Sequence, residues 1–347
     1  MKDFWQKLIE EQGKLCFLAP MDGYGDSAYR QVMKKVAPHI MCVTEFYSAD
    51  GLVYSKTLAD SVLQHDKIEE PLIVQIFGKE PENFAKAAKI IERYNIAGID
   101  VNMGCPAKKV VKSGHGSGLM INEETAYRVV EELNKATKLP ISVKTRLGFD
   151  GDDNLIRFAK GLENAGASLL TVHGRTAKQA YTGFANFEPI YELKKHIKIP
   201  LICNGDVKNY EDGMNKVKGL DGFMIGRATF GNPWVFLSDT HPSTTLLKEM
   251  EKGKFIDGQY FPTLGEILDI MYFHAQKLSQ TKGERKGSLE IRKHLVCYLK
   301  NFPGVKVFRK KLVSVENLVD VENVINEIRN EYKDYLGVIT TKIDIDI

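Results

Sequence analysis

The segment Asp100-Val101-Asn102-Met103-Gly104-Cys105-Pro106 puts a side-chain amide, a thiol and a sharp turn within seven residues. A free thiol, with a pKa of about 8.5, is mostly protonated at neutral pH, so it can deliver a proton as a general acid; its thiolate fraction is a nucleophile. The bland alternative is a strand, a turn and a buried cysteine. Other stretches offer complementary groups. Val143-Lys144-Thr145-Arg146 alternates so that Lys144 and Arg146 share one face of a strand, where a cation would stabilise negative charge on a ring system. Gln75 carries a donor and an acceptor on one amide, which suits a pyrimidine-like edge. The glycine turns Asn204-Gly205-Asp206 and Ile225-Gly226-Arg227 let backbone N–H groups approach an anion, and Arg227 adds a bidentate partner, so a phosphorylated ligand is expected.

These groups need a scaffold that gathers them. Short apolar runs recur at 15–19, 40–44, 72–76, 97–101, 141–143, 168–172, 201–203 and 222–225, nearly all followed by helix-like segments. The segment opened by Pro81 and Glu82 carries Phe84, Ala87, Ala88 and Ile91 at helical spacing. Strands apolar on consecutive residues and alternating with helices indicate a parallel sheet covered by helices. Eight such units in the first 240 residues match a (β/α)8 TIM barrel, an α/β fold. A doubly wound sheet is disfavoured, because no Gly-x-Gly-x-x-Gly follows the first strand. Barrel active sites lie at the C-terminal strand ends. Those ends here carry Pro20 and Met21, Glu45, Gln75, Asn102, Lys144, His173, Asn204 with Gly205, and Gly226 with Arg227. One such residue is an ordinary turn or cap residue; their joint occurrence points to a site.

Beyond residue 240 the pattern changes. The stretch from His241 through residue 245 reads as a linker, and helical character follows at 264–278, 289–300 and 321–335, giving a small all-helical domain over 245–347. Between Lys282 and Lys311 there are ten Lys or Arg against two Glu. A solvated helix face is the plain reading. With Tyr298, Phe302 and Phe308 interleaved, the patch also suits a polyanion such as a nucleic acid.

Bulk properties narrow the class. With 43% hydrophobic and 27% charged residues the chain has the composition of a water-soluble globular protein, and a net charge of +3 says little about partners. The five cysteines show no Cys-x-x-Cys pair, so no metal site is expected and a reducing cytoplasm is. No apolar run approaches the roughly 18 residues of a membrane span, and the N-terminus lacks the apolar core of a signal peptide.

Six blocks in register resemble the signature segments of the tRNA-dihydrouridine synthases: Leu18-Ala19-Pro20-Met21-Asp22-Gly23, Val74-Gln75-Ile76-Phe77-Gly78, Asp100-Val101-Asn102-Met103-Gly104-Cys105-Pro106, Val143-Lys144-Thr145-Arg146-Leu147-Gly148, Val172-His173-Gly174-Arg175-Thr176 and Asn204-Gly205-Asp206. The resemblance covers the first 240 residues, and the helical tail fits the family's tRNA-binding domain in kind. It implies a bound FMN that reduces a tRNA uridine to 5,6-dihydrouridine, with NADPH as reductant. Pro20, Met21 and Asp22 would then line the flavin and Gln75 would bond its ring edge. Lys144 would sit beside the N1–C2=O region. His173 would touch cofactor or base, and Asn204, Gly205, Asp206, Gly226 and Arg227 would cradle the phosphate. Asn102, Arg146 and Arg175 would contact the substrate, as would Lys306, Arg309, Lys310 and Lys311 in the tail. Cys105 would be the proton donor. Two departures stand out: Gly23-Tyr24-Gly25-Asp26 replaces the family's Gly-Val-Thr-Asp, and Asn186-Phe187 replaces Asp-Trp. A monomer is expected. Three other readings remain open on the residues: a dihydroorotate dehydrogenase, a barrel that binds tRNA without catalysis, and an aldolase or isomerase using Lys144 as a Schiff-base lysine.

Overall fold

The structure is a computed structural model that describes residues 3–152, 154–241, 253–299 and 304–339. Eight parallel strands close into a barrel: β1 (Leu15–Leu18), β2 (Met41–Ser48), β3 (Leu72–Phe77), β4 (Gly98–Asn102), β5 (Ile141–Arg146), β6 (Leu169–His173), β7 (Leu201–Asn204) and β8 (Gly222–Ile225), with β8 pairing back onto β1. All eight apolar runs are strands. The anticipated helices are also present, as Ser27–Val36, Pro81–Ile91, Glu123–Ala136 and Leu155–Ala165. Pro81 opens its helix at a position where a missing N–H costs nothing, and Gly166 ends the last of the four in a left-handed conformation.

The chain divides into two compact units. The first comprises residues 1–25, 40–207 and 212–226 and holds every barrel strand. Its interior is built from inward-facing positions two residues apart: Leu15 and Phe17 on β1 with Ala19 just after it, Met41 and Val43 on β2, then Ile73, Leu169, Ile202 and Met224. An N-terminal helix, Asp3–Gln12, contributes Trp5 to this cluster. The Trp5 indole donates to Ser168 Oγ at 3.0 Å and its ring lies 6.1 Å from Phe17. Apolar side chains thus fill the lower barrel, each fully buried one contributing about 2 kcal/mol. Higher up, the same inward rows turn polar.

The second unit comprises residues 26–39, 208–211 and 227–347. It therefore takes in the helix Ser27–Val36, which the sequence alone assigns to the barrel. The anticipated tail helices are Leu264–Lys282, Glu284–Tyr298 and Leu318–Glu331, with a further helix Val305–Leu312 between the last two. A short hairpin, Lys254–Ile256 paired with Gln259–Phe261, accompanies them. It turns on Asp257 and Gly258, both at positive φ (49° and 81°), an Asp-Gly pair suited to a two-residue hairpin turn. Residues 242–245 of the anticipated linker, Lys300, Phe302 and the C-terminal 341–347 lie outside the described residues.

Candidate active site

The polar layer of the barrel follows from strand register. Gln75 stands beside Asp100, Asp100 beside Ser142, Asn102 beside Lys144, Arg146 beside His173, and His173 beside Asn204. Neighbours at matched register point the same way, so these side chains line the interior toward the C-terminal ends of their strands.

Around the Cys105 turn the layer is tightly connected. Asn102 Oδ1 accepts from the backbone N–H of Gly104 (3.2 Å) and Cys105 (3.0 Å), which forms the turn that carries the half-buried thiol. Asn102 Nδ2 donates to Gln75 Oε1 (2.7 Å), Gln75 Nε2 donates to Asp100 Oδ2 (2.6 Å), and Ser142 Oγ donates to Asp100 Oδ1 (2.6 Å). Gln75 is fully buried, so the amide expected at the cofactor edge has protein partners on both its oxygen and its nitrogen. Asn102, expected on the substrate, is likewise engaged by the turn it caps. Burial pushes the Asp100 carboxyl up to about 6, against the pull of Ser142, Gln75 and Lys144. Asp100 and Ser142 are the residues that sequence reasoning passed over. Their signal was an aspartate two positions before Asn102 inside an apolar run, which period-two alternation turns inward.

Lys144 is different. It is half-buried, and among the described residues its ammonium makes no hydrogen bond or ion pair. Loss of water pushes its amine down to about 8; Arg146 acts in the same direction, and Asp100 and Cys105 oppose them. An unpaired, poorly hydrated cation at the barrel mouth is a donor in want of an anionic or carbonyl partner.

The two arginines are buried braces. Arg146 Nε donates to Gly104 O (2.7 Å), and its Nη1 donates to Thr176 O (3.0 Å) and Ala180 O (2.8 Å), tying the Cys105 turn to the loop after β6. Its guanidinium also lies 5.6 Å from the centre of the exposed Tyr181 ring. Arg175 donates to Thr182 O (3.1 Å), Gly183 O (2.6 Å) and Asp206 Oδ2 (2.6 Å), and Asp206 Oδ2 also accepts from Ala185 N (2.9 Å). The Asp206 carboxylate is thereby engaged on the loop side.

The anticipated phosphate turn has the shape for that role. Gly205 has φ +114°, and a Cβ there would come within 2.8 Å of Ala185 Cβ. Among the described residues its N–H makes no hydrogen bond. Asn204 is held by a bond from its Nδ2 to Met224 O (2.9 Å). Pro20 and Met21 are half-buried and Asp22 is exposed, directly after β1. Gly226 closes the first unit; Arg227 belongs to the second, where it opens the 3-10 turn Arg227–Thr229. A small cationic donor, a bare backbone N–H and glycine at the turn together fit a flavin phosphate cofactor.

In the second unit the four anticipated tail cations sit on or beside Val305–Leu312. Lys306 and Lys310 are exposed. Arg309 Nη2 donates to Leu299 O (3.3 Å), and Lys311 is ion-paired with Glu327. The interleaved aromatics face inward: Tyr298 is hydrogen-bonded to His274 Nδ1 (3.1 Å), and Phe308 packs edge-on to Tyr332 at 6.1 Å. Helical periodicity buries them, so Tyr298 and Phe308 do not supply the surface expected of them. Among the described residues no group of His, Cys, Asp or Glu is arranged to hold a metal, and no helix is long and apolar enough to cross a membrane.

Residues 17–333 match the family model described as dihydrouridine synthase. The chain is 34% identical over 312 residues to a protein of Synechocystis sp. named probable tRNA-dihydrouridine synthase 1, covering 89% of this chain and 84% of the relative. It is 35% identical over 297 residues to tRNA-dihydrouridine synthase B of Pseudomonas aeruginosa, covering 84% and 86%. Among solved structures, a 2-naphthoyl-CoA reductase matches with a TM-score of 0.51 at 12% identity, over 67% of this chain and 50% of that one, a likeness of fold. With strand register, the Cys105 turn and the match over 17–333 all in agreement, the chain belongs to the dihydrouridine synthase family.

Proposed function

We propose that this protein reduces a uridine of tRNA to 5,6-dihydrouridine, using FMN held in the barrel mouth and NADPH as the external reductant. The observation that carries the reading is the half-buried thiol of Cys105 on a turn fixed by Asn102, which stands in register with Lys144. FMN, when bound, supplies the hydride for uracil C6 and is itself reduced by NADPH. Cys105 Sγ–H gives the proton to C5, so hydride and proton reach adjacent carbons and no covalent enzyme intermediate is needed. Lys144 donates to the flavin ring where reduction leaves negative charge, and its lowered pKa keeps the ammonium a good donor. The Gly205 N–H, on the turn Asn204-Gly205-Asp206 and with Gly226 at the next strand end, holds the phosphate. Pro20, Met21 and Asp22 line the ring, and His173 faces cofactor or base. Gln75 acts through its Asp100 and Asn102 contacts. Arg146 and Arg175 shape the loop that receives the substrate.

Residues 1–240 form the catalytic part, and 245–347 the part that contacts tRNA through Lys306, Arg309, Lys310 and Lys311. Extruding the target base costs a few kcal/mol, about what a few phosphate contacts return. No dinucleotide-binding fingerprint is present, so NADPH uses the same mouth before tRNA does. Five cysteines without a disulfide suit a reducing cytoplasm, and the protein is read as a monomer. The test is Cys105→Ala. It should stay yellow and oxidise NADPH while dihydrouridine formation drops by about 10²- to 10⁴-fold. Unimpaired product formation would remove Cys105 from the reaction. Chromatography of the flavin released on denaturation identifies it as FMN or rejects it.

A further inference from the structure

Below the Cys105 turn runs a line of polar side chains with a fixed direction. A carboxylate only accepts hydrogen bonds, whereas a side-chain amide can be turned either way. Asp100 accepts from Ser142 on one oxygen and from Gln75 Nε2 on the other. Because Gln75 must present its NH₂ to Asp100, its oxygen faces Asn102. Asn102 must then present its NH₂ to Gln75 (2.7 Å), which leaves its oxygen for the N–H groups of Gly104 and Cys105. The opposite setting of the Asn102 amide would put an NH₂ against two backbone N–H groups inside a buried layer, with no acceptor for any of them.

We propose that Asp100 is a positioning residue: its carboxylate sets the direction of the Gln75 and Asn102 amides, and through them it fixes the turn that presents the Cys105 thiol. The line has one entry and one outlet. Ser142 holds Asp100 in place, Thr44 Oγ1 accepts the backbone N–H of Gln75 at 3.0 Å, and all three bonds between side chains run between matched or adjacent register positions. Placement matters for a proton donor, since a misplacement of about 1 Å can cost a reaction about a hundredfold. The inference rests on Cys105 being the reacting thiol, but its test does not require turnover.

Directionality makes a prediction that bulk or charge would not. Asp100→Asn can keep its oxygen toward Gln75 if its new NH₂ donates to Ser142 Oγ. Ser142→Ala leaves a carboxylate, which still only accepts. Together the two changes remove whatever selects the amide setting. The readout is the rate of Cys105 alkylation by iodoacetamide in the purified holoenzyme across pH 7.5 to 9, where Asp100 is ionised, followed by peptide mass spectrometry, with flavin content and thermal melting recorded. Each single variant should alkylate within about twofold of the native rate, and the double variant about tenfold faster. A full effect in Asp100→Asn alone, independent multiplication of the two effects, or no effect in a folded double variant overturns the proposal. If the double variant does not melt cooperatively, Gln75→Met breaks the same line near its middle. It should raise the rate to a similar extent, and an unchanged rate overturns the proposal. Product formation by Cys105→Ala would remove the thiol from the reaction while leaving this alkylation pattern intact, so the two failures are distinguishable.

Discussion

The barrel unit and the helical unit both concentrate cations, and they use them in opposite ways. In the barrel, Arg146 and Arg175 are buried and bonded to loop carbonyls, while Lys144, two positions before Arg146 on β5, makes no hydrogen bond or ion pair among the described residues. In the helical unit Lys282 is ion-paired with Asp26 and Glu290, Lys311 with Glu327, and Arg309 bonds a carbonyl, while Lys306 and Lys310 are exposed. Counting charge therefore overstates what a region offers a ligand. The available cation is the one whose neighbours do not already satisfy it.

The sharpest way to break this contrast is to remove one unpaired cation from each unit. Lys144→Met should lower the rate of dihydrouridine formation by about 10²- to 10³-fold, the scale of losing one donor aimed at developing charge. Lys306→Met should change that rate less than about twofold at saturating tRNA, because an exposed phosphate contact acts on binding. Single-turnover kinetics with pre-reduced enzyme decide the point. A similar loss in both variants would erase the distinction between a catalytic and a binding cation.

Two ion pairs of equal length make a second comparison. Arg175–Asp206 and Arg329–Asp269 both measure 2.6 Å, but Arg175 is 2% exposed and Arg329 33%. Arg175→Ala removes the cation facing Asp206 and the donor to two loop carbonyls, and should cost about 3 kcal/mol in urea unfolding. Arg329→Ala should cost less than about 1 kcal/mol. Equal costs would mean that burial does not separate these pairs.

Acid should then act on the two units in opposite senses. Burial in the helical unit pushes His274 down to about 4 and lowers His294 as well, and the two rings lie 4.6 Å apart against Tyr29. Their unfolded counterparts take up protons near pH 6.5, so this stability is present above 6.5 and is lost as pH falls toward 4. For His274 alone the loss at pH 5 is about 2 kcal/mol. Asp100 is shifted the other way, from 3.8 to about 6, so its contribution is greatest below 3.8 and is lost as pH rises through 6. Hydrogen exchange at pH 7 and pH 5 should show the helices Leu264–Lys282 and Glu284–Tyr298 losing protection before β4 and β5. Parallel loss would overturn the opposition.

The fold was legible because its signal is repeated. Eight apolar runs at successive positions specify strands even where their ends are misplaced, as with the run 141–143 that extends to Arg146. Inward placement toward the strand ends was legible from alternation, which covers Gln75, Asn102, Lys144, His173 and Asn204. What each side chain bonds was not legible, since that depends on contacts distant in sequence. Nothing near Gln75 announces that Asp100 and Asn102 hold both ends of its amide, and nothing near Arg175 announces Asp206. Tyr298 and Phe308 show the reverse error: a basic context suggested stacking surfaces, and helix periodicity buried them. The helix Ser27–Val36 was found, but its membership of the second unit is a tertiary fact that strand–helix alternation does not encode.

The smallest effect tests the tail itself. If Lys306 and Lys310 are the cations open to phosphate, Lys306→Glu with Lys310→Glu should weaken tRNA binding about tenfold at moderate salt and lower the slope of log affinity against log salt by about 2. Arg309→Glu and Lys311→Glu meet existing partners, Leu299 O and Glu327, and so should reduce affinity less while lowering the melting temperature more. Flavin content should stay unchanged in the first pair. A larger affinity loss from the second pair would mean that these internal bonds open when tRNA binds, and that a cation's availability in the free protein does not report its use in the complex. An unchanged salt slope in the first pair would return this face to the plain reading of a solvated helix.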